Sequence, residues 1–377
     1  MGQYMYEISS FEKILLSKKI RYEVLNKIFD PIMPDQEEAG NTVNLFVDIY
    51  SIYNQIFNPE NIDEFSSMNV KERNKFAAHV LNICGHYRNY FAKFHQRYTN
   101  IFVYYPSEKC EDKQKIDSAF KNQWYSKRLD FNDPIFGRLS LLLKKNLDVA
   151  QMISVYIPHL YLIDTKDVDH LVVPSLLIKN MKAEKCLNVI VSNNKLAYED
   201  ISKYEFTIGL QTRGDQSKII DESNLLEEFT SSTKIDSSHR TIFKFFYQHI
   251  ISIAGCKDFG IKGVPGYTVL KGINLFKDLI DKQKLTYVRY DDIEAMSKLF
   301  REERKMNEID LMKYETNFVL LTSGYLDKIN KGKITIISNQ IQDKKDFKSL
   351  EALNAESFVR EPLRLEMLFK GELDDEN

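Results

Sequence analysis

The hydrophobic pattern of this chain switches between two kinds of segment. Short runs rich in β-branched and aromatic residues stand between longer stretches whose apolar positions recur about every 3.6 residues. "TVNLFVDIYSIY" reads as a strand ending at Asp48. "NIFVYYPSE", "CLNVIVSNN" and "YEFTIGLQT" read as further strands, and "HLYLIDTKDVDHLVVPSLLIKNM" as a short strand feeding a helix. Residues 69–98 give a long helix that Asn69 can cap, with an apolar stripe at Ala77, Val80, Leu81 and Cys84. From about His239 to Leu311 the pattern is helical throughout. At the other end, Phe11, Ile14, Leu15, Ile20, Val24, Leu25 and Ile28 mark a helical extension, and "DPIMPDQEEAGN" breaks it with two prolines and a glycine.

Strand and helix alternating at this spacing predict an α/β fold, a mostly parallel central sheet flanked by helices. In such sheets the functional crevice lies at the carboxyl ends of the strands. Asp48, Tyr105 and Asn193–Asn194 are expected there.

Composition narrows the class. The chain has 377 residues, of which 43% are hydrophobic and 28% charged, the balance of a globular protein. No apolar run is long enough to span a bilayer, and the start lacks the pattern of a secretory signal, so a cytoplasmic protein without a membrane partner is expected. Cys84, Cys110, Cys186 and Cys256 are scattered, which argues against a zinc site or a disulfide framework. The net charge of −2 means that nucleic acid would have to be held by a local patch.

One stretch suggests such a patch. "IISIAGCKDFGIKGVPGYTVLKGINLFKDLI" places Gly263, Val264, Pro265 and Gly266 between two apolar helices. With little side-chain bulk, main-chain N–H groups can approach a phosphate closely. A plain helix–helix turn is the competing reading.

In the order of its motifs, residues 43–330 resemble the 5′-nuclease family: flap endonucleases, phage 5′–3′ exonucleases and their PIN-domain relatives. "NLFVDIYSIY" is similar to the family's first strand, whose terminal Asp binds metal. "AFKNQWYSKR" is similar to the basic segment that grips the substrate backbone, with Lys127 and Arg128 as the phosphate contacts. "DVDHLVV" resembles the E-A-D-D word through Asp167 and Asp169. "VIVSNNKLAYED" is similar to the strand carrying S-x-D-K-D. "IAGCKDFGIKGVPGYTVLKG" resembles the helix-3-turn-helix, with Asp258 as its surviving acid, and "YETNFVLLTSGYLDKI" echoes a C-terminal element of phage members.

The resemblance implies an organisation: a helical extension and linker over 1–42, a 5′-nuclease-like α/β domain over 43–238, a helix-3-turn-helix and helical region over 239–330, and a C-terminal extension with an acidic tail over 331–377. It implies metal ligands at Asp48, Asp167, Asp169 and Asp258. It also implies nucleic-acid contacts at Lys262, Gly263, Val264, Pro265, Gly266 and Lys271, with a monovalent cation at the turn.

Family chemistry holds divalent ions in a nest of carboxylates that orient water and clamp both oxygens of an in-line displacement. This chain departs from that nest. Tyr105 stands where the second strand should end in an acid, and Asn194 and Leu196 replace the D-K-D pair. Asn194 can still offer a neutral oxygen; Leu196 offers none. His170 and Cys256 replace two further acids. The reduced set implies at most one Mg²⁺ or Mn²⁺ ion, with no residue identified as catalytic. Glu199 or Asp200 would reach the crevice only if the strand ended differently.

Three readings follow. The first is a protein that holds duplex or branched DNA without cutting it. The second is a nuclease with a reduced metal site. The third is a structural subunit of a larger assembly, such as a phage one, bound to a protein partner through residues 2–42 or the C-terminal extension.

Other signals carry less. Helix 69–98 interleaves basic and aromatic residues, a pattern that also suits single-stranded nucleic acid. The simpler reading makes the aromatics core and the charges a solvated face. His79, His86 and His95 lack close metal-pair spacing and read as structural. "SSTKIDSSHR" is one polar loop and no evidence of a triad.

Overall fold

The computed structural model describes residues 21–48, 84–105, 159–164, 172–212, 217–232, 234–257, 260–285, 292–323 and 335–338. Chain order begins with α1 (Tyr22–Phe29), the short α2 (Gln36–Ala39) and β1 (Thr42–Asp48). A helix described over 84–95 is α3, followed by β2 (Tyr98–Tyr105) and β3 (Leu160–Asp164). Then come α4 (Val173–Met181), β4 (Leu187–Val191), a 3-10 helix (Lys195–Ser202), β5 (Thr207–Gln211) and β6 (Lys218–Ile220). The helical half is α5 (Ser237–Ala254), a two-residue ribbon of β7 (Gly255–Cys256) and β8 (Ile261–Lys262), α6 (Val269–Asp281), α7 (Ile293–Arg304) and α8 (Glu308–Leu321). A last strand, β9 (Thr335–Ser338), comes from the region read as C-terminal extension.

The main sheet has the order β6-β5-β4-β1-β2-β3-β9. Its five central strands are parallel, and β6 and β9 close the two edges antiparallel. Parallel strands are covered on both faces, which is why their sequences are continuous apolar runs rather than alternating ones. In β1, Leu45, Phe46 and Val47 are all fully buried.

A polar ladder crosses this core. Asn100 Nδ2 donates to Asn44 Oδ1 at 3.1 Å, and Asn44 Nδ2 donates to Asn188 Oδ1 at 3.0 Å. Asn188 Nδ2 then donates to the carbonyls of Ala183 and Cys186, each at 3.0 Å. These three residues are directly opposed in the β2, β1 and β4 registers. A one-residue slip would leave buried amides unpaired, so the ladder fixes which residues reach the carboxyl edge.

The basic helix reading is met in part. Tyr87, Tyr90 and Phe91 are core, as expected, and α1 lies on them through Phe29 on Phe91 (5.0 Å between centroids) and Tyr22 stacked on His86 (4.4 Å). The charges differ from the expectation of a solvated face: Arg88 and Arg97 are buried. Arg97 donates to the carbonyls of Gly40 (3.1 Å) and Pro34, and so pins the linker before β1. His95 pairs with the Tyr90 hydroxyl at 2.9 Å, a structural role like that of His86; His79 lies outside the described residues.

The helices after residue 236 pack on one another through aromatic rings. Phe246 stacks on Phe276 at 4.4 Å, and Phe300 meets Tyr314 edge-on at 5.0 Å. His249, buried between them, pairs with the Tyr314 hydroxyl at 2.6 Å. The polar loop before α5 supplies its cap: Asp236 accepts from the His239 N–H, and the His239 ring reaches back in a capping box. Sheet residues such as Phe46 and Ile190 and helical residues such as Ile250 and Phe276 belong to one continuous apolar core.

Candidate functional site

The chain runs β1, β2, β3 in one direction across the sheet and returns to place β4 on the other side of β1. That reversal is the topological switch point where a crevice is expected. Asp48 ends β1 there, with 1% of its surface exposed.

Its neighbours at the same level are not acids. Tyr104 of β2 is opposite Asp48, and β2 ends one residue later, at Tyr105. On the other side, Val191 is opposite Val47, which brings Ser192 level with the carboxylate. The Ser192 hydroxyl donates to Asp48 Oδ2 at 3.1 Å and accepts from the Asn194 N–H at 3.1 Å.

The neutral oxygen of Asn194 is committed elsewhere. Asn194 Oδ1 accepts from the Leu196 N–H at 3.1 Å, capping the 3-10 helix. Asn193 is also structural, because its Oδ1 accepts from the Thr212 N–H at 3.1 Å and ties the end of β4 to the end of β5. Leu196 is core.

Glu199 and Asp200, one turn further on, are buried but already engaged. Lys203 Nζ lies 2.9 Å from Glu199 Oε1 and 3.6 Å from Asp200 Oδ1. The Ser323 N–H and hydroxyl donate to the two Glu199 oxygens at 2.7 and 2.9 Å, and Gln248 donates to Oε1. The cluster therefore joins the 3-10 helix to α5 and to the end of α8. Burial alone would raise the Glu199 carboxyl, but the Lys203 ammonium and these hydrogen bonds hold it below its usual value. Burial would lower Lys203; Glu199 and Asp200 outweigh it and hold the ammonium above its usual range.

The Tyr104 phenol is pushed far up, first by burial and then by the charges of Asp48 and Asp200. Among the described residues no group of three or more His, Cys, Asp or Glu side chains is arranged to hold a metal ion. Among the described residues, those placed beside Asp48 are Ser192, which donates to it, and Tyr104, its register partner, while Asn194 Oδ1 is in use as a cap; a hard dication requires more anionic oxygens than these supply. Asp167, Asp169 and Asp258 lie outside the described residues.

A second feature is the bend between α5 and α6. The β7–β8 ribbon pairs Gly255 with Lys262 and Cys256 with Ile261, and Cys256 is a buried core residue. Gly255 and Gly263 must be glycine because they touch: a Cβ on Gly255 would meet Gly263 N at 2.3 Å, and one on Gly263 would meet Ala254 O at 2.2 Å. The Val264 N–H donates to Ile253 O at 2.7 Å, and its side chain is buried.

Behind the bend sits Asn317 of α8, 1% exposed, whose Nδ2 donates to Ser252 O (2.9 Å) and Lys262 O (3.0 Å). Pro265 and Gly266 are exposed at the tip, with Gly266 at φ +84°. Thr268 caps α6. The Lys271 ammonium donates to Gly266 O at 2.9 Å, and Lys262 is exposed beside it. A helix N-terminus, small residues and two ammonium groups thus share one surface, an arrangement that favours an anion. Lys127 and Arg128 lie outside the described residues.

The sequence reading found 263–266 but missed Gly255, Asn317, Lys203 and Ser323. Gly255 carried a signal, a glycine directly after the last helical residue. The others act across the fold and carried none.

No protein-family model matches the chain, and no curated protein matches it by sequence. Solved structures do resemble it. The T5 D15 protein, co-crystallised with metal ions, aligns over 86% of this chain and 99% of its own, at 10% identity and a TM-score of 0.49. A bacteriophage T5 D15 flap endonuclease, in a pseudo-enzyme–product complex with DNA and metal ions, aligns over 86% and 98% at 11% identity and a TM-score of 0.44. T5 5′-exonuclease with bound zinc aligns over 86% and 99% at 9% identity and a TM-score of 0.45.

Proposed function

We propose that this chain binds the backbone of duplex or branched DNA without cutting it, as a degenerate relative of the 5′-nucleases working in the cytoplasm. The observation that carries this reading is the bend at Gly263–Gly266, exposed at Pro265 and Gly266, held from behind by Asn317 and flanked by Lys262 and Lys271. It corresponds to the helix-3-turn-helix of the sequence resemblance. Main-chain N–H groups and the start of α6 would take one phosphate of the backbone, with a monovalent cation in support, and no base would be read. Loss of cutting is inferred from Tyr105, Asn194 and Leu196 standing where the resemblance calls for acids, and from the engagement of Glu199 and Asp200 by Lys203.

A second reading is favoured by Asp48 itself, a buried carboxylate at the switch point. With Asp167, Asp169 and Asp258 it would hold one Mg²⁺ or Mn²⁺ ion, whose chemistry would be the activation of water for phosphodiester cleavage. One experiment separates the two: binding and cutting of a 5′-flap DNA, with and without Mn²⁺, at two salt concentrations. Salt-sensitive binding with no product supports the first reading. Cleavage that disappears in Asp48→Ala supports the second. Absence of binding at low salt would refute the first.

A further inference from the structure

The outer face of α6 continues the surface that begins at the bend. Over residues 271–277, Gly272, Ile273, Leu275 and Phe276 are buried, while Lys271, Asn274 and Lys277 are exposed. Positions three apart form one of the natural ridges of a helix, inclined about 45° to its axis. The Lys271 ammonium meets Gly266 O at 2.9 Å, so one end of this ridge lies at the tip of the bend. Lys277, at the other end, is six residues on, about 9 Å along the axis.

The charge along this path has one sign. No Asp or Glu occurs from Gly260 to Lys277, although 54 of the 377 residues are acidic. Among the described residues, no carboxylate lies within ion-pair reach of Lys262, Lys271 or Lys277. The cations beyond Lys277 are placed differently. Lys282 lies 3.0 Å and Arg304 2.5 Å from Asp278, and Lys284 lies 2.9 Å from Glu303. A cation already closed in an ion pair offers an anion less than an uncompensated one does. Asp281, exposed in the last turn of α6, ends the path with a charge that repels phosphate.

We infer that the ridge Lys271–Asn274–Lys277 is a second stretch of DNA contact, along which one strand leaves the bend and crosses α6. Asn274 donates to a phosphate oxygen, and Lys277 neutralises a phosphate further along. The inference rests on the proposed reading of the bend and extends it from a single phosphate to a run that stops before Asp281. A strand carries one charge per about 3.4 Å of duplex axis, so lysines about 9 Å apart face phosphates two to three apart. Lys271 and Lys277 therefore hold different phosphates, and neither reads a base.

The test uses the full chain and a fluorescein-labelled 5′-flap duplex, with anisotropy read across a KCl series. Lys277→Ala should lower the slope of log affinity against log salt by about one unit, and Lys271→Ala/Lys277→Ala by about two. Lys277→Arg should keep the wild-type slope. So should Lys298→Ala, which removes an exposed charge from α7 beside Glu302. An unchanged slope in Lys277→Ala overturns the inference, as does an equal loss in Lys298→Ala. A double variant no different from Lys271→Ala also overturns it, because the two lysines would then share one phosphate. If urea shows Lys277→Ala to be less stable than the wild type, Lys277→Gln, which keeps part of the stem, must give the same loss of slope. A wild type that ignores DNA sinks the proposed function and this inference together, whereas DNA binding indifferent to Lys277 sinks the inference alone.

Discussion

The two glycines of the bend should respond unequally to substitution, because one is crowded and the other is open. A Cβ on Gly263 would stand 2.2 Å from Ala254 O, 2.3 Å from Ala254 C and 2.5 Å from Ile253 O. Comfortable carbon contacts begin near 3.5 Å, so the overlap is about 1 Å against main-chain atoms that cannot rotate away. Relief requires the bend to move off the end of α5, which breaks the Val264 N–H to Ile253 O bond and strains the Asn317 clamp. Overpacking costs about 1–3 kcal/mol and the lost hydrogen bond about 1 kcal/mol, so Gly263→Ala should lose about 2–4 kcal/mol.

Gly266 has nothing within 4 Å of its Cβ position, and its cost arises from φ +84° alone. Gly266→Ala should therefore lose only about 1–2 kcal/mol. Urea denaturation of the three proteins measures the difference. On the DNA side, Gly266→Leu would project into the space a phosphate must enter. Loss of one hydrogen bond to a charged group, about 1.5–3 kcal/mol, weakens affinity about 10- to 100-fold, read by fluorescence anisotropy at fixed salt. A Gly263→Ala protein as stable as the wild type would refute the close approach of the two main chains. A folded Gly266→Leu protein with wild-type affinity would refute the phosphate site.

Asn317→Ala strips the donor from two main-chain carbonyls; at about 1–3 kcal/mol for each buried acceptor left unpaired, it should rank with Gly263→Ala, and amide exchange at Val264 should accelerate. Lys262→Ala and Lys271→Ala should each lower the slope of log affinity against log salt by about one unit with little effect on stability, as measured by anisotropy across a salt series. Glu199 has a folded pKa below its usual 4.5, so its stabilisation is complete above the usual value and is lost as pH falls through the depressed one. Glu199→Gln should accordingly flatten the acid limb of a stability–pH curve below about 4.5, while lowering stability at neutral pH.

The strands were legible because their environment is uniform: a parallel strand buried on both faces needs apolar residues at every position, and "NLFV" and "NVIV" announce this. What was illegible is register. The asparagine preceding each of these runs, Asn44, Asn100 and Asn188, repeats at the same place in three strands, and its meaning emerges only when the strands lie side by side. The same register sets Tyr104 level with Asp48, and a slip of one residue would turn that side chain to the other face. Asn194 shows a different limit. The sequence shows only that it can offer a neutral oxygen; an asparagine before a helical turn is a strong cap, and the local donor at Leu196 takes that oxygen. Strand β9 was hidden for a third reason: four residues at a sheet edge carry little pattern of their own, and they join β3 from more than 170 positions away.

These departures are connected by how each activity depends on side chains. A pair of dications is held by carboxylates, and every acid replaced by a neutral side chain removes a full charge from a site whose affinity grows with charge. Phosphate capture by a bend depends on main-chain N–H groups and on the absence of bulk, so it tolerates drift at every position except the crowded glycines and their clamp. A chain losing selection for cutting would therefore shed carboxylates first. The anions that remained would become a liability, two buried like charges in low dielectric, unless a cation were supplied from within. Lys203 supplies it, and by joining Glu199 to Ser323 and Gln248 the ion cluster also ties the 3-10 helix to α5 and the end of α8, the helices that carry the bend. Because that cluster joins the 3-10 helix to α5 and to the residue following α8, Lys203→Met should weaken the thermal stability of the helical half more than that of the sheet.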